Sequence, residues 1–197
     1  AAFIAANMSA GMDDTDKVKI LVEDAVDVCK LTMLAPDINL SDYRFTPAGE
    51  PPSKTGRPVT QIRYGLGAVK GSGQSAIEAI IAARNAGGPF TDLFDFCKRV
   101  DKKQINRRTI ESLTRAGAFD CFKVDRGILL ASIGFALECA DQAHAARNQV
   151  SLFENDDTAI APPEYVKVLP WSDKQRLTEE KVALGFIEQP IAPNYAD

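Results

Sequence analysis

Gly71 and Gly73, two glycines one residue apart, could form a turn that binds a phosphate group. A short predicted helix precedes Gly71, and a longer one is predicted over residues 74–86. Glycine adopts backbone angles barred to other residues and leaves room for a ligand to approach closely. The amides of the turn and of the opening helix would point outward together, at the positive end of the helix dipole, which suits a phosphate oxygen. The candidate phosphate contacts of this turn are Lys70, Gly71, Ser72, Gly73 and Gln74.

Such a turn brings no side chain to the edge of a base, so nucleic-acid binding here should be independent of base sequence. A G-x-G sequence alone is most often only a turn. Ala76, Ile77 and Ile80 would pack the second helix against the first, and with them the segment resembles a helix-hairpin-helix DNA-binding motif. A dinucleotide site is excluded, because the segment has neither a βαβ unit nor a third glycine at the right offset.

A second helical pair follows in a strongly basic part of the chain. The whole chain has a net charge of −4, yet residues 51–115 contain 12 bases and 5 acids. A basic block between acidic flanks is typical of a surface that meets a phosphate backbone, although the same charges could simply solubilise a helical face. Residues 101–105 stand where a second hairpin turn would be, but without G-x-G, and predict a degenerate second hairpin. Its candidate phosphate contacts are Lys102, Lys103, Arg107 and Arg108.

The cysteines and the single histidine do not predict a metal site. No two of the four cysteines stand at C-x-x-C spacing, and His144 falls near the end of a long predicted helix, where a surface position is expected. We expect the cysteines to be small buried groups in a reducing compartment, and hence a cytoplasmic protein. No apolar run reaches the length of a membrane span, so no membrane association is predicted.

The remaining pattern is mostly helical and predicts a mainly α fold with a few short strands. Acidic residues at 13–16 indicate a helix start, Thr91 and Asn106 are possible N-caps, and the longest helix is predicted from Asp125 to Arg147. Short strands are predicted over 43–46 and 60–64, joined by a Pro- and Gly-rich loop, and a last helix over about 172–184.

Several of these segments resemble the bacterial DNA polymerase III alpha subunit. They occur in the order of that family: Ala35–Asn39, Ile62–Gly71, Gly88–Phe90 with Leu93–Cys97, and Asn106–Arg108 with Ala116–Asp120. The resemblance covers most of residues 1–186 and implies a tandem helix-hairpin-helix domain with a long helix leading to an extended peptide. It divides the chain into the end of the fingers (1–45), the tandem domain (46–148), a clamp-binding peptide (149–153) and an acidic linker with a helix leading toward a following domain (154–197).

The clamp-binding peptide is implied by the resemblance and supported by its residue types. Gln149 offers a side-chain amide that could fix the register of the peptide on the clamp, and Leu152 and Phe153 could fill an apolar pocket as anchors. Ser151 is the small polar residue that precedes this apolar pair. The alternative is a helix tail whose Leu152 and Phe153 pack back onto their own domain. Residues 187–197 depart from the family pattern, and nothing is inferred from them.

The resemblance implies a DNA-directed DNA polymerase as the full-length protein, with duplex DNA, the sliding clamp and other replicase subunits as partners. Its nucleotidyl transfer would use Mg²⁺ held by palm-domain carboxylates, and no matching acidic pair occurs in this sequence, so we expect no catalytic residue and no cofactor here. Two alternatives remain: a helix-hairpin-helix module of a DNA repair protein, and a small free-standing enzyme. The first does not account for residues 149–153, and the second lacks a polar constellation.

Overall fold

The computed structural model describes residues 1–49, 60–150 and 163–185, and within them the chain is mainly helical, as predicted. The helices are α1 (Ala2–Ala10), α2 (Thr15–Glu23), α3 (Gln74–Gly87), α4 (Leu93–Arg99), α5 (Arg107–Arg115), α6 (Arg126–Val150) and α7 (Asp173–Leu184). A π-helical turn, Asp24–Val28, continues α2, and single 3-10 turns occur at Leu66–Ala68 and Asp120–Phe122.

A small sheet packs beside the N-terminal helices. Its strands are β1 (Thr32–Leu34), β2 (Thr46–Ala48) and β3 (Gln61–Arg63), with β3 in the centre, parallel to β1 and antiparallel to β2. The predicted strand over 60–64 is confirmed, whereas the one over 43–46 is wrong. The carbonyl oxygens of Asp42 and Tyr43 accept hydrogen bonds from the 3-10 turn that precedes the hairpin, so pairing with β3 begins only at Thr46.

The helix starts depend on side-chain caps. Asp14 accepts hydrogen bonds from the amides that open α2, and Asn106 accepts one from the Thr109 amide at 2.9 Å, as predicted for both segments. The expected cap at Thr91 is wrong, because the neighbouring Asp92 accepts the Asp95 amide at 2.8 Å and α4 begins one residue later. A carboxylate at this position also suits the positive end of the helix dipole.

The core lies between the hairpin helices and α6. Ala76, Ile77 and Ile80 of α3 are buried, as predicted, and so are Leu129 and Ile133 of α6. Four phenylalanines extend this core in edge-to-face and stacked pairs with ring centroids 4.9–5.5 Å apart: Phe90, Phe96, Phe119 and Phe122. Burial of this apolar surface holds the hairpin helices in fixed relative positions.

Residues 163–185 return along the body of the domain. The Tyr165 hydroxyl accepts the Leu93 amide at 3.3 Å, and the Val166 amide donates to the Ser132 hydroxyl at 2.9 Å. Helix α7 then packs against α5 and buries Leu184. Helix α6 runs to Val150 rather than ending near Arg147, so the backbone of the first two residues of the predicted clamp-binding peptide is helical.

Candidate nucleic-acid interface

The first hairpin turn connects the 3-10 turn Leu66–Ala68 to α3. Gly71 has φ +81°, in the left-handed region that favours glycine, as expected. The same expectation is wrong for Gly73, whose φ of −78° and ψ of 147° any residue can adopt. A Cβ at Gly73 would meet nothing within 4 Å, so this glycine is required only if a ligand approaches there.

The Ser72 side chain holds the turn together. Its hydroxyl lies 2.6 Å from the Val69 carbonyl oxygen and 2.9 Å from that of Leu66. The opening amides of α3 have no side-chain cap, because position 73 is glycine and the Gln74 amide group bonds to Glu78 instead. The amino end of α3 therefore presents backbone donors and the positive end of its dipole without a competing side-chain acceptor.

The second predicted hairpin is formed by α4 and α5. Asp101 closes its turn: its carbonyl oxygen accepts the Gln104 amide at 2.9 Å, and its carboxylate accepts the Lys103 amide at 2.9 Å. The turn contains no glycine, and the amides of Lys103, Gln104 and Ile105 are used within it. This hairpin therefore contributes charged side chains, and not a second backbone nest.

The two hairpins meet at one groove of about 580 Å³. The Thr109 hydroxyl on α5 donates to the Gly71 carbonyl oxygen at 3.4 Å, which places the glycine turn beside the first turn of α5. Helix α7 forms the other wall. The lining residues are Lys70, Gly71, Arg107, Arg108, Glu111, Ser112, Arg115, Val182 and Ala183. Four residues predicted as phosphate contacts are among them: Lys70, Gly71, Arg107 and Arg108.

The bases of the groove differ in how they are paired. Arg107 Nε lies 2.8 Å from a Glu111 carboxylate oxygen, while Arg108 makes no ion pair within the described part of the chain. Lys102 and Lys103 do not line the groove, and Lys102 forms an ion pair with Asp141 of α6. The structure thus brings the bases at 107 and 108 together with the first hairpin and leaves those at 102 and 103 apart.

Arg115 and Ser112 also line the groove but were not predicted as phosphate contacts. Arg115 follows Arg108 by seven residues and Arg107 by eight, a spacing that puts all three on one side of a helix, so its place in the groove could have been found from the sequence. The wall formed by Val182 and Ala183 had no comparable sequence indication, because it depends on α7 returning to α5.

The other reactive groups lie outside this groove. All four cysteines are free, and burial raises the pKa of both Cys97 and Cys121 to about 12, while Cys29 is exposed, contrary to expectation. His144 is exposed on α6. The described residues contain no cluster of His, Cys, Asp or Glu side chains that could hold a metal ion, and none of their helices is long and apolar enough to cross a membrane.

The predicted clamp-binding residues lie largely outside the described residues. Ser151, Leu152 and Phe153 belong to the undescribed segment 151–162, and only the backbone of Gln149 is described, at the end of α6. Their role stays a prediction.

Comparison with known proteins agrees with the hairpin geometry. A family profile described as "Helix-hairpin-helix motif" matches residues 30–129. The chain is 46% identical over 189 residues to "DNA polymerase III subunit alpha" of Neisseria meningitidis serogroup B, 42% identical to that of Vibrio cholerae and 40% to that of Escherichia coli K12. Each match covers 94% of this chain and 15–16% of the relative, so the chain spans about a sixth of the length of these relatives. The family resemblance stated from the sequence is confirmed.

Proposed function

Because this chain belongs to the helix-hairpin-helix family, we propose that it is the segment of a replicative DNA polymerase that holds duplex DNA without recognising its base sequence. The observation that carries this proposal is the groove in which the Gly71 turn meets the arginines of α5. The groove joins a backbone turn suited to a phosphate oxygen with guanidinium groups that bind phosphate through paired hydrogen bonds.

Independence from base sequence follows from the kinds of donor that the groove offers. Backbone amides, Lys70, Arg107 and Arg108 all suit phosphate oxygens, which are the same at every nucleotide. The similarity to proteins named "DNA polymerase III subunit alpha" favours a polymerase over a DNA repair protein.

We extend the proposal to the longer protein of which such a segment would be part. That protein would be a DNA-directed DNA polymerase of the bacterial cytoplasm, working with other replicase subunits, and its Mg²⁺ would be held by carboxylates of a palm domain. Within this chain, Gln149, Ser151, Leu152 and Phe153 would bind the sliding clamp. Clamp binding is supported by the residue types at these positions and by the family resemblance.

Duplex binding is tested by titrating the chain into labelled duplexes of two unrelated sequences over a range of salt concentrations. We expect similar affinity for both, falling steeply with salt, with a slope of about −0.9 per phosphate neutralised. Arg108→Gln should weaken binding about threefold to tenfold and make the slope shallower by about one unit, because one phosphate contact is lost.

Arg44→Gln is the matched control for Arg108→Gln. Arg44 is exposed, makes no ion pair with any described residue and does not line the groove, so the same loss of charge should leave DNA affinity nearly unchanged. Equal losses in the two variants, or equal wild-type affinity at low and high salt, would contradict the proposal.

A further inference from the structure

A carboxylate of helix α7 forms an ion pair with one of the arginines that line the groove. Arg115 Nε lies 2.9 Å from a Glu179 carboxylate oxygen, and each of the two side chains remains about one third exposed. The other carboxylate near Arg115 is that of Glu111, at 3.8 Å, which already pairs with Arg107 at 2.8 Å. Arg115 is therefore turned toward α7 by Glu179.

Glu179 is kept in this position because α7 is firmly attached to the domain. The next residue, Glu180, is buried and lies 3.0 Å from Arg126, which in turn donates to the Arg115 carbonyl oxygen at 3.0 Å. At the end of α7, the Ala183 carbonyl oxygen accepts the Lys70 amide at 2.9 Å. The adjacent glutamates thus differ: Glu180 anchors the helix inside the domain, and Glu179 pairs with Arg115, which lines the groove.

The same helix also meets a second base of the groove. The ammonium group of Lys70 lies beside Gly185, at the carboxyl end of α7, where the helix dipole is negative. Helix α7 thus supplies negative charge to the groove at two points. Any phosphate group entering the groove must share these two bases with α7.

We propose that Arg115 is a further DNA-phosphate contact and that Glu179 lowers the DNA affinity of the groove by competing for it. The inference rests on the proposed function and adds a restraint on that same site. A partly exposed ion pair contributes little to stability in water, so a DNA phosphate can displace the carboxylate. The displaced Glu179 carboxylate then remains beside the phosphate and repels it, and the complex is weaker than the bases alone would make it.

The test compares Glu179→Gln with Asp173→Asn in duplex binding over a salt series. Both changes remove one carboxylate from α7, but Asp173 is 94% exposed, and among the described residues its ion pair is with Arg176 of the same helix, at 3.6 Å. Glu179→Gln should bind duplex DNA about twofold to fivefold more tightly at low salt, with a salt slope steeper by up to about 0.9, since no Glu179 carboxylate then competes with the phosphate for Arg115. Asp173→Asn should change affinity much less.

A double variant identifies the residue through which Glu179 acts. In an Arg115→Gln background, Glu179→Gln should give no increase in affinity. An equal increase from Glu179→Gln and Asp173→Asn, or an increase that persists without Arg115, overturns the proposal. If wild type binds duplex DNA through Arg108 while Glu179→Gln binds as wild type does, this inference alone fails. If wild type does not bind duplex DNA at low salt, the proposed function fails with it.

Discussion

At the hairpin turn, Gly71 and Gly73 have different structural requirements although they form one G-x-G sequence. Gly71 needs its positive φ, and a Cβ there would come within 3.1 Å of the Ser112 hydroxyl. Gly73 has ordinary backbone angles and open space around its Cα. The first glycine is therefore required by the fold of the turn, and the second is required only by a ligand.

Alanine at each glycine should separate these two requirements. Gly71→Ala should destabilise the protein by about 1–2 kcal/mol, because an alanine with positive φ is strained. Gly73→Ala should leave the melting temperature nearly unchanged and weaken DNA binding, because its methyl group would stand where a phosphate approaches the opening amides of α3. Thermal melting and duplex titration of both variants give the two quantities. Unchanged DNA binding by a folded Gly73→Ala would mean that this part of the turn does not touch DNA.

Among the elements, α7 depends most on one buried group of charges. Arg126 lies 2.7 Å from Asp120 and 3.0 Å from Glu180, and both Arg126 and Glu180 are buried. Burial raises the pKa of the Glu180 carboxyl, against the opposing effect of Arg126. Arg126 also donates to Asp120 and to the Arg115 carbonyl oxygen, so this one guanidinium group satisfies acceptors in the 3-10 turn, α5 and α7.

Removing the arginine should therefore cost far more than neutralising the glutamate. Arg126→Met should lower the free energy of unfolding by about 3–5 kcal/mol, since two carboxylates lose their buried partner. Glu180→Gln should cost about 1 kcal/mol or less, because the neutral amide still accepts the Arg126 hydrogen bond. Urea unfolding at neutral pH measures both, and a Glu180→Gln loss as large as that of Arg126→Met would contradict this assignment.

The same pKa shift predicts a pH dependence for wild type relative to Glu180→Gln. A carboxyl whose pKa is raised in the folded state costs stability when it ionises, so its contribution is greatest near or below the ordinary value of 4.5 and is lost as pH rises through the higher folded pKa. Wild type should thus gain stability relative to Glu180→Gln as pH falls toward 4.5.

The sequence predicted the helices better than the contacts between them. The start of α5 at Asn106 and the buried face of α3 follow from local side-chain caps and apolar spacing, which the sequence shows directly. The groove could not be predicted in this way, because it forms only where the Gly71 turn, α5 and the returning α7 meet. The pairing of Lys102 with Asp141, 39 residues away, shows why a basic residue in the sequence does not by itself become a phosphate contact.

Across the whole molecule, positive and negative charge are separated along the chain and brought together again by the fold. The net charge is −4, yet the groove is lined by Lys70, Arg107, Arg108 and Arg115 against the single carboxylate of Glu111. Acidic residues of α7 stand beside this basic surface. We therefore expect this chain alone to bind duplex DNA with modest affinity. A second binding site, for a partner that is itself on the DNA, would strengthen the overall binding.

The predicted second attachment is binding to the clamp. It can be tested by substitutions in the predicted clamp-binding peptide. Leu152→Ala combined with Phe153→Ala should weaken clamp binding by on the order of several hundredfold, since apolar anchors in a small peptide site can each contribute about 2 kcal/mol or more. Duplex binding and thermal stability should stay close to wild type, because in this prediction Leu152 and Phe153 serve as anchors for the clamp and not as part of the domain core.

Val168→Ala combined with Leu169→Ala is the matched control for this pair. These two side chains are also adjacent and apolar, they are 41% and 90% exposed, and they lie on the returning segment outside the predicted peptide. The control should bind the clamp as wild type does, which separates the loss of specific anchors from a general loss of exposed apolar surface. Titration of purified clamp, with a melting curve for each variant, distinguishes the alternatives. If Leu152 and Phe153 instead pack onto their own domain, the double variant should melt several degrees lower while clamp affinity stays unchanged, because buried side chains leave cavities when truncated.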